Sequence, residues 1–588
     1  MADARGMSRR QVGLGALALG AGWRSRRCPR IRPPRRGRPA GTGVPRCGTG
    51  RRGEAGCCLG RCSNSSRMPR RSSSRHRNIP GTRGPFCSPD ADTVALHKPI
   101  GMAVRYQAYD EKADTGVEFP PEQQIPMAED TVFDLASVSK LFTSILAVQQ
   151  IERGRLELEA PVASYLPDFG RAGKHDVTIR QLLTHVRVPR VDPAVHVVDV
   201  RGEGAADLRR GATSPPGTAY LYSDLNLISL QLVLELVTGR RLDVLLREEI
   251  TEPLGMRRTR YNPPASWKPK IAATEDARKP WSGLDRGLVW GEVHDENAYS
   301  LGGVAGHAGV FSDADLAVLA RTLLDGGVCG RNRILRPESV ELMFTDFNTA
   351  FPGDEHGLGF ELYQHWYMGA MATPRTAGHT GFTGTALVLD PTTDSFLVVL
   401  GNSVHPVRSW RSGSAPRVAA ANQLARAVPV RPARGRTAWF SGMASAATAT
   451  LALPALDTSS GAARLSCALW WDTEPKADVL VLESSADGGT TWKPVPFTTR
   501  RRGGTAEQHP TGTATGWSGR VWHDLTADLP SAPGLTVRWR YTTDRLYVGR
   551  GAYVDGLRVE KGRRRLFDES RPSDVARLLA EGWSREDG

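Results

Sequence analysis

Phe133-Asp134-Leu135-Ala136-Ser137-Val138-Ser139-Lys140-Leu141-Phe142-Thr143-Ser144-Ile145 passes from a short apolar approach into helical spacing, with Leu141, Ile145 and Val148 recurring on one face. The pattern predicts an amphipathic helix with Ser137 at its start. Ser and Lys three residues apart share a helix face, so the Lys140 ammonium can reach the Ser137 hydroxyl. The free N–H groups and the dipole of a helix start favour negative charge developing on an attacked carbonyl. Taken alone the Ser-x-x-Lys pattern is weak, since about one arises by chance in a chain of this length. An ordinary N-cap serine would occupy the same place.

Further along, Tyr222-Ser223-Asp224 follows Ser137 by 85 residues and precedes Leu225-Asn226 and an apolar helical run. His379-Thr380-Gly381 comes 157 residues after Tyr222, just before a strand-like stretch. In order and spacing these three elements resemble the S-x-x-K, Y-x-N and K-T-G or H-T-G boxes of class C β-lactamases, D-Ala-D-Ala carboxypeptidases and related esterases. The resemblance covers roughly Asp92 to Val428. It is strengthened by Thr178-Ile179-Arg180-Gln181-Leu182-Leu183-Thr184-His185, Val293-His294-Asp295-Glu296-Asn297, Gly302-Gly303-Val304-Ala305-Gly306-His307-Ala308-Gly309 and Asn402-Ser403-Val404-His405-Pro406. The nearest likeness is to penicillin-binding protein 4B-like serine hydrolases.

The resemblance implies an α/β (α+β) β-lactamase/transpeptidase-like domain with an antiparallel central sheet and helices. It implies an acyl-enzyme at Ser137, with Lys140 taking the serine proton and Tyr222 relaying it to the leaving group and then activating water. Asp224, His379, Thr380 and Gly381 fall at substrate-binding positions, and the backbone N–H groups of Ser137 and Phe382 at the oxyanion hole. No cofactor and no metal are implied, and no His/Cys/Asp cluster stands at metal-ligand spacing along the chain. His294, His307 and His405 are expected to satisfy backbone groups rather than to catalyse.

Three positions depart from the family pattern. Asp224 replaces the usual Asn, and a carboxylate accepts hydrogen bonds but cannot donate them. Val186-Arg187-Val188-Pro189 follows His185 where relatives carry Thr-Ser-Gly-Leu. The apolar strand that relatives carry before Asp92, the first of their central sheet, is missing from residues 23–89.

Composition divides the chain sharply. Residues 23–89 hold 18 Arg and one acid, Glu54, for a charge of +17; residues 1–22 add +2, leaving −4 on the other 499 residues of a chain whose total is +15. Nearly neutral main domains give no electrostatic case for nucleic acid. Six of eight cysteines fall in 23–89, leaving Cys329 and Cys467, which the sequence does not pair. Ser8-Arg9-Arg10 before a short apolar run resembles a twin-arginine export signal over residues 1–22, so an exported or cell-envelope location is expected. No segment reads as a stable membrane span. Residues 23–89, without Lys or Tyr and without any hydrophobic period, read as a disordered or misread segment.

The hydrolase domain is expected over residues 90–428, a linker rich in Arg, Pro and Ala over 429–437, and an all-β, jelly-roll-like sandwich over 438–588. Helices are expected to vanish in that last region until its final dozen residues. The function expected is an acyl-serine hydrolase acting on D-amino-acid peptides, β-lactams or small esters, with a small-molecule or peptidoglycan-like substrate. The sandwich is a candidate either for carbohydrate or cell-wall contact or for a stabilising appendage with no ligand. The alternative is a catalytically decayed wall-binding protein, against which the intact Ser137, Lys140 and Tyr222 argue.

Overall fold

Two uninterrupted apolar runs, Ala386–Asp390 and Ser395–Gly401, are buried at every residue, as strands covered on both faces must be. They pair antiparallel from Ala386 opposite Val399 to Asp390 opposite Ser395, and Asp390 holds the connecting turn by accepting the Thr392 N–H at 2.9 Å. Ala377–Thr380 adds to the outer edge of Ala386–Asp390, and Glu361–Leu362 adds beyond it. The computed structural model describes residues 82–87, 94–170, 173–186, 217–278, 284–411, 413–459 and 461–587, all within one compact unit, His76–Gly588.

The sheet has six strands in the order Glu361–Leu362, Ala377–Thr380, Ala386–Asp390, Ser395–Gly401, Thr82–Cys87, Val94–Lys98, all antiparallel. Thr82–Cys87 corrects the expectation of a missing strand. It lies inside the segment read as structureless and pairs with Ser395–Gly401 on one side and Val94–Lys98 on the other. Ladder hydrogen bonds come from the backbone, so a strand needs no apolar alternation of its own when both neighbours supply partners. The hydrolase domain therefore begins before the expected residue 90. The export signal at 1–22 and residues 23–81 lie outside the described residues, as does the Arg187–Pro189 departure.

Helices expected from spacing are present as Ser139–Glu152 and Asp224–Thr238, and Ile179–Leu183 forms a further short one. The first differs from expectation in being buried all round from Ser139 to Gln150 rather than amphipathic. Its polar side chains meet protein instead of water. Thr143 Oγ1 donates to the Gly306 carbonyl at 2.8 Å, Ser139 Oγ accepts the Val310 N–H at 3.1 Å, and Gln149 Nε2 donates to the Ile334 carbonyl at 3.0 Å. A helix buried on every side is the centre of its layer, and its polar groups must find such partners. A core of Leu141, Ile145, Leu230, Leu234, Leu387 and Val398 joins this helix to Asp224–Thr238 and to one face of the sheet. Ala415–Ala427 covers the other face through Ala421, Leu424 and Ala425 against Val388 and Val399.

Beyond the linker, two sheets face each other around Leu465, Leu469, Leu482, Val537, Trp539 and Val554. Strict alternation of buried and less buried residues in His523–Leu529 and Thr536–Thr542 marks each as a sandwich strand with one inner face. The last dozen residues are not helical. Leu579–Glu581 pairs with Thr450–Ala452 and Ser584–Glu586 with Ala438–Phe440, with Gly582 at φ +71° turning the chain between the two sheets. Edge pairing with distant strands outweighed the local helical pattern there. Among the described residues, Cys329 and Cys467 are free thiols, and no helix is long and apolar enough to cross a membrane.

Candidate active site

Asp134 is buried, and its carboxylate accepts the backbone N–H of Ala136 at 2.8 Å and of His294 at 2.6 Å. These bonds hold Ala136 at φ +46°, a conformation disfavoured for a residue with a Cβ, and the chain enters a short 3₁₀ turn, Ala136–Val138, leading into the Ser139–Glu152 helix. Ser137 sits in that turn. Thr383 Oγ1 donates to the Asp134 carbonyl at 2.7 Å and Thr385 Oγ1 to the Leu135 carbonyl at 2.9 Å, tying the turn after His379-Thr380-Gly381 against the approach to Ser137. Among the described residues the backbone N–H groups of Ser137 and Phe382 have no acceptor.

Lys140 is 1% exposed. Its Nζ donates to Ser137 Oγ at 2.8 Å and to the His307 carbonyl at 3.3 Å, and forms an ion pair with Asp224 Oδ1 at 2.7 Å. A hydroxyl, a carbonyl and a carboxylate thus lie close around the Lys140 amine, with the carboxylate as its ion-pair partner. Burial works against that charge, but Asp224 and then Tyr222 outweigh it and hold Lys140 above the ordinary lysine value. Burial likewise raises Asp224, and Lys140 with His307 more than reverses this, leaving the carboxyl below its usual range. Asp224, the first residue of the Asp224–Thr238 helix, thus pairs with Lys140, a partner the sequence did not disclose.

Tyr222 lies beside this pair, its ring centroid 4.9 Å from Lys140 Nζ. The residue is 39% exposed, yet desolvation of the hydroxyl, partly offset by the ammonium, pushes the phenol up to about 12. His185 packs against the Tyr222 ring at 4.6 Å, and its Nδ1 accepts the Ser223 N–H at 3.2 Å. His379 stands 6.0 Å from the same ring, its Nδ1 2.7 Å from the Thr380 carbonyl. Burial, reinforced for His379 by Lys140, holds His379 down at about 3 and His185 well below the normal imidazole value. Both rings are neutral walls that place Tyr222.

The structure brings together Ser137, Lys140, Tyr222 and Asp224, and sets His379, Thr380, Gly381 and Phe382 on the strand and turn beside them. Gly381 is required there: a Cβ would lie 2.0 Å from Thr385 Oγ1 and 2.3 Å from the Leu135 carbonyl. Of the three histidines expected to be structural, His405 accepts the N–H groups of Arg105 and Tyr106 at 3.1 and 3.0 Å. His294 reaches Glu275 at 2.9 Å, and His307 Nε2 reaches Asp295 Oδ1 at 2.8 Å while its carbonyl accepts from Lys140. Sequence reasoning assigned no role to His185 or Asp295, although both stand in stretches that carry the family likeness.

The tertiary fold also gathers groups that chain spacing kept apart. Asp224, Asp295 and His307 place ligand atoms within 4.8 Å of one another, as do Glu474, Asp478 and Asp544 in the sandwich.

A nucleophilic hydroxyl bonded to a buried lysine, a tyrosine ring beside that lysine, and two unpaired backbone N–H groups on tied segments define a serine hydrolase site on a β-lactamase/transpeptidase-like fold. A family model described as Beta-lactamase matches residues 117–422, and one described as Immune inhibitor A-like, MAM domain matches residues 414–588. A relative in Escherichia coli (strain K12), named "Putative D-alanyl-D-alanine carboxypeptidase", is 35% identical over 316 residues, 48% of this chain and 72% of its own length. One of the same name in Salmonella agona (strain SL483) is 34% identical over 343 residues, 53% and 76% of the two chains. A solved penicillin-binding protein homologue from Caulobacter crescentus is 23% identical, with a TM-score of 0.42, covering 55% of this chain and 86% of that one. The chain belongs to the Beta-lactamase family and is a serine hydrolase.

Proposed function

We propose that Ser137 attacks an acyl carbonyl to form an acyl-enzyme, and that the acyl donor is a D-alanyl-D-alanine-type peptide or a small ester of similar shape. The observation that carries this reading is the Ser137–Lys140–Asp224 chain around a buried lysine, with the Tyr222 ring beside it. With Lys140 and Tyr222 both protonated at rest, one proton must first pass from the coupled pair to solvent, after which the pair accepts the serine proton. That proton then passes to the leaving group through Tyr222, which activates water for deacylation. The N–H groups of Ser137 and Phe382 receive the oxyanion, and His379 and Thr380 meet the substrate carboxylate or carbonyl. The carboxypeptidase names of the two enterobacterial relatives support the peptide reading. Asp224, unable to donate as Asn does, removes a donor to the amide carbonyl that β-lactams and peptides share, and so weighs toward the ester.

The enzyme is proposed to be exported and to act in the cell envelope, with the MAM-like region contacting wall or carbohydrate. Intact-mass analysis after incubation with a fluorophosphonate should show one adduct on the wild-type chain and none on Ser137→Ala. A folded wild-type protein that takes no adduct would falsify the nucleophile assignment. Turnover of a D-alanyl-D-alanine peptide, an ester and a β-lactam side by side ranks the substrates, and β-lactam hydrolysis faster than that of the peptide and the ester would overturn the preference for those two.

A further inference from the structure

Arg417 lies in the Ala415–Ala427 helix on the face of the sheet opposite the nucleophile helix, and is only 4% exposed. Its Nη2 donates to the Gly381 carbonyl at 2.6 Å, a carbonyl that also accepts the Gly384 N–H at 3.0 Å. Gly381 is fixed from its other side too, its own N–H donating to the Thr385 carbonyl at 2.7 Å. The Gly381 C=O belongs to the same peptide unit as the Phe382 N–H, and in a trans peptide the two point in opposite directions. A guanidinium anchoring the carbonyl at the back of the sheet therefore aims the Phe382 N–H, which has no acceptor of its own among the described residues, forward. A charge-assisted bond to the oxygen also polarises the peptide and strengthens its N–H as a donor.

We infer that Arg417 is a positioning residue for the oxyanion hole, acting through the Gly381–Phe382 peptide rather than touching substrate. Burying a guanidinium with one firm acceptor is costly, and its Nε has no hydrogen-bond partner. The groups that face it are Glu361 and Tyr367, which favour its charge, and Arg411, which opposes it. An ion placed at such cost behind the turn stabilises negative charge developing in front of it, where low dielectric magnifies the effect. This role for Arg417 rests on Ser137 forming an acyl-enzyme.

The test compares the full-length wild type, Arg417→Gln and Arg417→Lys. Two probes are used: p-nitrophenyl acetate, which is neutral, and an N-acyl-D-alanyl ester whose leaving group carries a free carboxylate. Removing a whole oxyanion donor costs about 10²–10³ in kcat, so weakening one should lower kcat about 10–100-fold in Arg417→Gln. The loss should be equal for both probes, with KM held within about twofold and part of the rate recovered in Arg417→Lys. Unchanged kcat overturns the inference, and so does a rise in KM confined to the carboxylate probe, which would make Arg417 a substrate ligand. Should Arg417→Gln not fold, the kcat and KM of Arg417→Lys decide by the same criteria. Fluorophosphonate labelling separates the two levels: an unlabelled wild type removes the acyl-enzyme reading, whereas a labelled wild type with unchanged variants removes only the role of Arg417.

Discussion

Asp224 replaces the amide of the family pattern with a charge, and its effect falls on Lys140 at 2.7 Å. Because the carboxylate holds the lysine proton in place, removing that charge must lower the Lys140 value. The acid limb of kcat/KM for Asp224→Asn is expected to move to lower pH by about 1 unit or more, the usual size for a close opposite charge. A limb that stays put would show that Lys140 does not control the resting proton inventory. The Ser137–Lys140 relation was legible because three-residue spacing on a helix is a local geometric fact. Asp224 was recognised as a departure, but its partner was not, since 84 residues separate it from Lys140 in the chain.

At the scale of elements, the segment around Glu275 is joined to the chain after the last sheet strand by one buried carboxylate. Glu275 accepts the Arg408 backbone N–H at 2.8 Å and its guanidinium, Nε at 2.9 Å from both carboxylate oxygens and Nη2 at 2.6 Å from Oε2, and His294 Nε2 lies 2.9 Å from Oε2. Burial alone would raise this carboxyl, but His294 and then Arg408 overcome it and hold it down at about 2. A depressed carboxylate contributes stability that is fully present above its unfolded value near 4.5 and is lost as pH falls toward 2. Urea unfolding of wild type and Glu275→Gln should differ by about 3 kcal/mol at neutral pH, a gap that closes as pH drops through that window. A gap independent of pH would mean the Gln side chain is simply misfitted. Helices and buried strands were readable because their periods are written in side chains, as in Leu227 to Val237. Thr82–Cys87 was not, because its place in the sheet is held by the backbones of Ser395–Gly401 and Val94–Lys98.

Across the whole molecule, the sandwich is fastened to the hydrolase domain by a buried ionic node. Arg520 in the sandwich, 6% exposed at its side chain, pairs with Asp472 of its own domain at 2.7 Å and with Asp390 at the end of a central strand, and donates to the Ala370 and Met371 carbonyls at 3.1 and 3.2 Å. Val430 of the linker packs with Phe440, Trp470 and Tyr553, so the segment read as a connector is packed onto the sandwich. Removing one partner of a buried pair strands the other charges, at a typical cost of about 3–5 kcal/mol. Arg520→Met should lose stability of that order in denaturant unfolding, and a loss below about 1 kcal/mol would show that water replaces the guanidinium. The match to a MAM-like family begins at residue 414, in the helix that covers the hydrolase sheet, consistent with two domains that share a seam.

The sequence by itself determined the class of chemistry, the order of the Ser137, Tyr222 and His379 elements, and the division into hydrolase and β-sandwich, because motif spacing and hydrophobic period are local properties of a chain. Only the tertiary structure decided that Asp224 pairs with Lys140, that Thr82–Cys87 completes the central sheet, that the final residues are edge strands, and that Arg417 and Arg520 are buried where they are. Each of these depends on backbone pairing or on charges meeting across long stretches of chain. Such contacts leave no period in the sequence; they exist only once the layers have packed.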